Sequence, residues 1–191
     1  MKLSVLICTI PEPFRDKDYI SNLARKLTFQ AANKPVQILY LGDNKSMTVG
    51  EKRNWLLDIS KGERVIFVDD DDQITDNYIE KLLEYCKLDY DCISIGVKMT
   101  ENKVTERIYD YTFKKNINKK DKGIMIAGRM PNHLCLWKRE IAKRVKFPGR
   151  NLGEDHDWAE QQLLKGYSFY DTKEILYYYN FRSDITQTRI R

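Results

Sequence analysis

The chain opens on a continuous apolar run, Leu3 to Thr9, of the kind that fills a strand covered on both faces. Tyr19 to Ala32 then repeats apolar residues at helical spacing through Ile20, Leu23, Ala24, Leu27 and Ala31, and Pro35 stops it. Val36 to Leu41 predicts a second strand, ended by Gly42, Asp43 and Asn44. Thr48 to Ser60 is helical through Val49, Arg53, Leu56, Leu57 and Ile59, with Gly62 behind it. Val65 to Val68 predicts a third strand that runs straight into four aspartates. Asp76 is the expected cap of a helix turning Ile79, Leu82, Leu83 and Cys86 inward, and Cys92 to Val97 predicts a fourth strand.

This alternation of strand and helix predicts an α/β fold with a Rossmann-like, doubly wound, mostly parallel sheet and right-handed crossovers. Such sheets bind ligands beyond the carboxyl ends of their strands, where Thr9, Asp43 and Asp69 all fall. The second half is less regular. Arg107 to Phe113 alternates as a half-exposed strand would, and Lys114 to Lys122 reads as a basic loop. A short strand is expected over His133 to Trp137, helices near Lys138 to Arg144 and over Glu154 to Lys165, and an aromatic strand over Ile175 to Phe181.

With 191 residues and no linker or repeat, the expectation is one domain over 1–191: a ligand-binding half over 1–97 and a smaller irregular half over 98–191. No apolar run approaches the roughly 18 residues of a membrane span, and the start lacks the features of a secretory signal. Cys8, Cys86, Cys92 and Cys135 form no CxxC pair and read as free thiols, which suits a cytoplasmic protein. The net charge of +5 is unevenly spread: residues 98–150 hold fifteen Lys and Arg against five Asp and Glu, whereas 1–97 carry −3 and 151–191 carry −2. So concentrated an excess predicts an anionic partner.

The sharpest feature is FVDDDD, Phe67 to Asp72. Adjacent carboxylates at a strand end repel one another, and a divalent cation that prefers hard oxygen ligands relieves the repulsion. A calcium-binding EF-hand loop from Asp69 fails, because Ile74 occupies the sixth position, where glycine is needed, and a strand precedes the loop. A haloacid-dehalogenase-like phosphatase, with Asp70 as nucleophile and Asp72 as acid, is one alternative, although that motif normally follows a first strand.

Four blocks in order resemble family-2 glycosyltransferases of the type A fold. They are LSVLICTIPE (Leu3 to Glu12), LYLGDNKS (Leu39 to Ser46), VGEKRNWLLDISKGERVIFVDDDD (Val49 to Asp72) and GEDHDWAEQQLLKGY (Gly153 to Tyr167). The last two are similar to the family's arginine–asparagine helix with its DxD strand end, and to its late GED segment. The resemblance implies a metal-dependent, inverting enzyme that takes a sugar from a nucleoside-diphosphate donor, a UDP-sugar, with Mn2+ or Mg2+.

On this resemblance Asp71 is the direct metal ligand, and Asp69 contacts the metal through water or the ribose. His156 and His133 are the candidates for a third ligand. Asp43 accepts from the base, Thr9 and Glu12 flank the nucleotide, and Lys52, Arg53 and Asp70 complete the donor set, Asp70 and Asp72 also shaping the turn. Asp155 is the general base, with Glu154 orienting it or meeting the acceptor. TIPEPF departs from the family's usual turn at Glu12, and the chain stops soon after Arg182 and Ser183, without the membrane-associated extension of many relatives.

The basic stretch overlies the family's acceptor region. Lys114, Lys115, Lys119, Lys120, Arg129 and His133, interleaved with Tyr109, Tyr111 and Phe113, suggest an anionic acceptor, with a hydroxymethylated base in duplex DNA as the leading expectation. An envelope polysaccharide or lipid-linked sugar is the alternative acceptor. A nucleotide-sugar-binding module without catalysis is the non-enzymatic alternative.

Overall fold

A computed structural model describes residues 1–10, 17–101, 105–111, 117–121 and 124–181. Its elements are β1 (Leu3–Thr9), α1 (Lys17–Ala31), β2 (Val36–Gly42), α2 (Val49–Ile59), β3 (Arg64–Phe67), β4 (Gln73–Ile74), α3 (Tyr78–Tyr85) and β5 (Cys92–Glu101). There follow β6 (Thr105–Tyr111), β7 (Ile117–Asp121), β8 (Ile124–Arg129), β9 (Leu136–Lys138), α4 (Arg139–Ala142), α5 (Glu154–Lys165) and β10 (Phe169–Phe181).

The sheet order is β2-β1-β3-β9-β5-β6-β8-β7. β1 is parallel to β2 and β3, and β9 lies reversed between β3 and β5, so β2, β1, β3 and β5 all point the same way. The other edge of β5 is taken by β10, which runs parallel to it, and β4 pairs antiparallel with β10. The α/β fold with a mostly parallel central sheet is therefore as the apolar periodicity predicts. Its core draws on both halves of the chain, from Leu3, Val5 and Leu6 through Val65, Ile66 and Ile95 to Trp137, Trp158 and Tyr177. Among the described residues no helix is long and apolar enough to cross a membrane, and all four cysteines are free.

Local chemistry explains the sharpest boundaries. Thr48 starts α2 with a reciprocal capping box: the Glu51 N–H donates to Thr48 Oγ1 (3.2 Å) and the Thr48 N–H to Glu51 Oε2 (2.7 Å). Four expectations shift. Asp76 does not cap α3; Asn77 precedes the helix without a side-chain cap, and the Asp76 carboxylate pairs with Lys26 at 2.7 Å instead. The expected basic loop is strand β7 over its described part, paired antiparallel with β8. His133 lies ahead of its strand, in a turn closed by the Cys135 N–H on Asn132 O (3.1 Å). The closing strand begins at Phe169 and bulges between Asp171 and Tyr177, where Lys173 takes a positive φ of 56°.

Candidate active site

Helix α2 carries two consecutive cations, Lys52 and Arg53, that are 2% and 4% exposed. Successive helical residues diverge by about 100°, so the two side chains reach different strand ends. Lys52 Nζ donates to Thr9 O (3.0 Å) at the end of β1 and pairs with Asp43 beyond β2. The other Asp43 oxygen accepts from the Met47 N–H (2.6 Å) and the Ser46 hydroxyl (3.0 Å). Burial alone would raise the Asp43 carboxyl, but Lys52, Met47 and Ser46 outweigh it and hold the pKa at about 2.

Arg53 reaches the aspartates. Its Nη2 donates to Asp69 Oδ1 (3.2 Å) and its Nη1 to Glu154 Oε1 (2.5 Å). The guanidinium lies 5.7 Å from the Phe67 ring centre and 5.5 Å from that of Phe147. Burial disfavours its charge, yet Asp69, Glu154 and Asp155 hold its pKa above the ordinary arginine value. Arg53 therefore ties the end of β3 to the start of α5.

His133 makes a second tie. It is 4% exposed, with Nε2 3.4 Å from Asp69 Oδ2 and Nδ1 3.5 Å from Asp155 Oδ2. Burial would raise the Asp69 carboxyl; His133 and then Arg53 hold it well below the usual range. Asp72 is opposite in sign. Burial, with the charges of Asp69 and Asp71, pushes its carboxyl well up, while the Tyr177 hydroxyl (2.7 Å) and the Asn180 N–H (3.1 Å) both donate to it. The same Tyr177 hydroxyl accepts from the Asp69 N–H (3.0 Å), so β10 fixes the turn that presents the aspartates.

These groups border a cavity of about 310 Å3. Asp69, Asp70 and Asp71 line it together with Arg53, His133, Glu154 and Asp155. Cys8 lines it as well, but burial pushes its thiol up to about 12, against the pull of Arg53, so it offers no thiolate nucleophile. Sharing the walls Val49, Asn151 and Leu152 is a second cavity of about 260 Å3 that includes Ile10, Lys45, Met47 and Lys52.

The sequence-predicted residues divide accordingly. Asp69, Asp70, Asp71, Arg53, Glu154, Asp155 and His133 meet at the first cavity, and Lys52 lines the second. Thr9 and Asp43 stand behind Lys52. His156 stands apart from these: it is half exposed on α5, 3.8 Å from Asp157 and 4.0 Å from Glu160, and does not line the cavity. As a ligand for an ion at the aspartates it is displaced, because its position three residues after Gly153 turns it outward along the helix. Glu12, Lys114 and Lys115 lie outside the described residues. Lys119 and Lys120 are exposed on β7, and Arg129 lies over the Tyr109 ring at 5.0 Å.

Tyr109 and Tyr179, on β6 and β10, also line the first cavity, and only the first of them drew attention in the sequence. The period-2 alternation of the closing aromatic strand carries the missed signal: Tyr177 and Tyr179 face inward, while Tyr178 is 37% exposed. The phosphatase alternative requires Asp70 and Asp72 to act on one substrate, but both Asp72 oxygens are turned to Tyr177 and Asn180.

The wider likenesses of the chain bear on its fold and family. The structure superposes on residues 1–349 of S. aureus TarS with a TM-score of 0.65 at 19% identity, covering 94% of this chain and 60% of that one. The same TarS segment in complex with UDP-GlcNAc matches with a TM-score of 0.66 at 18% identity, over 96% of this chain and 59% of the other. The bifunctional IspDF of Campylobacter jejuni matches more loosely, with a TM-score of 0.53 at 13% identity over 91% and 50% of the two chains. At these identities the likeness establishes the fold, and the chain spans about 60% of the TarS segment. No curated protein sequence matches it significantly. Residues 16–145, well over half of the chain, match the model of glycosyl transferase family 2. The chain belongs to glycosyltransferase family 2.

Proposed function

We propose that this family-2 glycosyltransferase moves a sugar from a UDP-sugar to an acceptor hydroxyl in one inverting displacement. The observation that carries the reading is the double tie between the DxD aspartates and the GED acids: Arg53 holds Asp69 and Glu154, and His133 lies between Asp69 and Asp155. The TarS complexes with UDP and UDP-GlcNAc support a uridine donor.

In the proposed step the acceptor oxygen attacks the anomeric carbon. The carbon–oxygen bond to the diphosphate breaks, its electron pair stays on the diphosphate, and Asp155 takes the hydroxyl proton. Asp155 lies in the first turn of α5, which fixes its carboxylate in place, and Glu154 is held beside it by Arg53. Burial pushes the Cys8 thiol up, which disfavours a thiolate nucleophile on this wall.

The residues present fit a divalent cation. Among the described residues the cavity acids form no tight three-ligand cluster of their own; the one such group is the exposed His156, Asp157 and Glu160. Two carboxylates, Asp71 and Asp69, are what Mg2+ or Mn2+ needs when diphosphate oxygens complete its shell. Burial, and after it the charges of Asp69 and Asp71, pushes the Asp72 carboxyl up, and such an ion would relieve the second of these. Bound there, it would stabilise the charge on the departing diphosphate.

The acceptor reading changes. Among the described residues, four of the fifteen cations of the basic stretch pair with acids from elsewhere in the chain: Lys138 holds Asp89 and Asp91, Lys143 and Lys146 hold Asp58, and Arg150 holds Asp157. Tyr109 and Tyr179 line the cavity beside Asp155 and suit a sugar ring. A hydroxyl on an envelope polysaccharide or lipid-linked sugar is therefore favoured over a hydroxymethylated DNA base.

The test separates binding from chemistry. Asp155→Asn should bind UDP with Mn2+ as the wild type does by calorimetry, yet transfer sugar at least about a hundredfold more slowly. Wild-type turnover in that variant, or full activity in excess chelator, would sink the mechanism.

A further inference from the structure

The turn ahead of β9 aims one side chain into the larger cavity. Asn132 O accepts from the Cys135 N–H (3.1 Å) and the Trp137 Nε1–H (2.8 Å), and Asn132 Oδ1 from the Leu134 N–H (3.1 Å). His133 O accepts from the Phe67 N–H (3.1 Å), and the Phe67 ring packs edge-on against the imidazole, with centroids 6.3 Å apart. Nε2 lies 3.4 Å from Asp69 Oδ2. The ring is thus held by its backbone, one flank and one nitrogen. The other nitrogen, Nδ1, is buried, yet it makes no hydrogen bond among the described residues. Leaving such an atom unpaired is costly, and in a cavity wall it marks where a ligand supplies the partner.

The surroundings of Nδ1 narrow that ligand. Asp155 Oδ2, on the proposed base, stands 3.5 Å away, and both residues line the cavity. The polar groups around them are engaged: Glu154 by Arg53, Asn132 Oδ1 by Leu134, and Asn151 Oδ1 by Val49. Nδ1 and Asp155 Oδ2 therefore form a side-by-side pair, and adjacent hydroxyls on a sugar ring form another of similar spacing. A hydroxyl both donates and accepts, so it satisfies Nδ1 whichever ring nitrogen carries the proton. Tyr109 and Tyr179, on the same cavity, offer a wall for the ring that bears the two hydroxyls. A lone hydroxyl, such as that of a hydroxymethylated base, fills one of the two positions and leaves Nδ1 empty.

We infer that the acceptor presents a vicinal diol: one hydroxyl attacks and yields its proton to Asp155, and His133 Nδ1 holds its neighbour. His133 is then a specificity-determining residue for the acceptor. The inference rests on the reading of Asp155 as base and names the acceptor chemistry of that same site.

The experiment supplies UDP-GlcNAc and MnCl2 to the full chain with p-nitrophenyl glycopyranosides of glucose, galactose, mannose and xylose, and with a hydroxymethylcytosine duplex. Mass spectrometry and NMR of the product locate the hydroxyl that is glycosylated. The glycoside is then compared with its analogues deoxygenated at each neighbouring position, in wild type, His133→Leu and His133→Gln. Wild type should lose about tenfold or more in kcat/KM with one of these analogues. His133→Leu should use that analogue and the parent within about twofold of each other, and His133→Gln, which keeps a hydrogen-bonding group, should retain part of the discrimination and keeps the test open if the leucine variant misfolds. A purely structural role for His133 lowers both rates together and leaves their ratio as in wild type, which overturns the inference. So does a wild type indifferent to every neighbouring hydroxyl, or one that glycosylates the duplex and none of the glycosides, or one that glycosylates nothing in the panel. Calorimetry of UDP with MnCl2 on the same preparation separates the failures: UDP binding leaves the donor reading standing, and its absence overturns that reading too.

Discussion

At the scale of single residues, one imidazole and one carboxylate carry the clearest consequences. His133 lies between Asp69 and Asp155 with both ring nitrogens within 3.5 Å of a carboxylate oxygen. Its loss should free Asp155 to turn away from the acceptor. His133→Ala is expected to lower transfer by at least about tenfold while UDP affinity stays near wild type, and paired kinetics and calorimetry would decide it. Asp43 makes a pH prediction. Its folded pKa of about 2 lies below the ordinary carboxylate value of about 3.9. Its stabilisation is therefore complete above about pH 4 and is lost as pH falls towards about 2. The stability gap between wild type and Asp43→Asn should shrink over that window in urea titrations at stepped pH; a gap constant from pH 6 to pH 2.5 would refute it. The four aspartates were legible as a site because their repulsion is local in sequence. The bridge of His133 was not, since it joins residues 64 and 22 positions away in the chain. Composition also could not say that Lys52 and Arg53 are buried, because helical phase alone leaves a cation free to face solvent.

At the scale of elements, α2 distributes the site. Its N-terminus is capped from within by Thr48 and Glu51, and from outside by the segment before α5: Asn151 Oδ1 accepts from the Val49 N–H (2.9 Å), and Arg150 O from the Gly50 N–H (3.2 Å). That approach is possible only because residue 50 is glycine; a Cβ there would lie 1.8 Å from Pro148 O. Gly50→Ala should push the 148–153 segment off α2, costing about 1–3 kcal/mol and weakening transfer more than a surface change on the same helix would, as read by denaturation and activity together. Unchanged activity and stability would mean that the segment is not held there. The helix itself was predictable from its capping box and apolar spacing. The docking of the later segment was not, because nothing within either segment specifies the other. The irregular half resisted for a similar reason: β7 becomes a strand by pairing with β8, and β8 by pairing with β6, across spacings that period-2 alternation inside one strand does not encode.

At the scale of the whole molecule, the uneven charge reads differently once folded. At the end of the basic stretch Lys138, Lys143 and Arg150 meet acids of the flanking segments, while Lys119 and Lys120 stay exposed on β7. Such surface pairs stabilise little individually, and they weaken the field that a duplex would meet at that end of the stretch. Binding to a hydroxymethylated duplex, followed by fluorescence anisotropy across a salt series, should show a log–log slope no steeper than about 2, and a slope beyond about 5 would restore nucleic acid as the acceptor. The doubly wound half was legible because each strand–helix pair packs against its sequence neighbour. The closing strand had the right place and character but not its task of bracing the aspartate turn. That brace has a consequence for synthesis. Tyr177 follows Asp72 by 105 residues, so on a ribosome adding about 5–20 residues per second the carboxylate turn waits roughly 5 to 20 s for its partner. The first strands can pair during that interval and Arg53 can reach Asp69, but the hold of Tyr177 and Asn180 on Asp72 is still missing. The full brace of the proposed site therefore forms only after β10 has been made, late relative to the aspartates it holds.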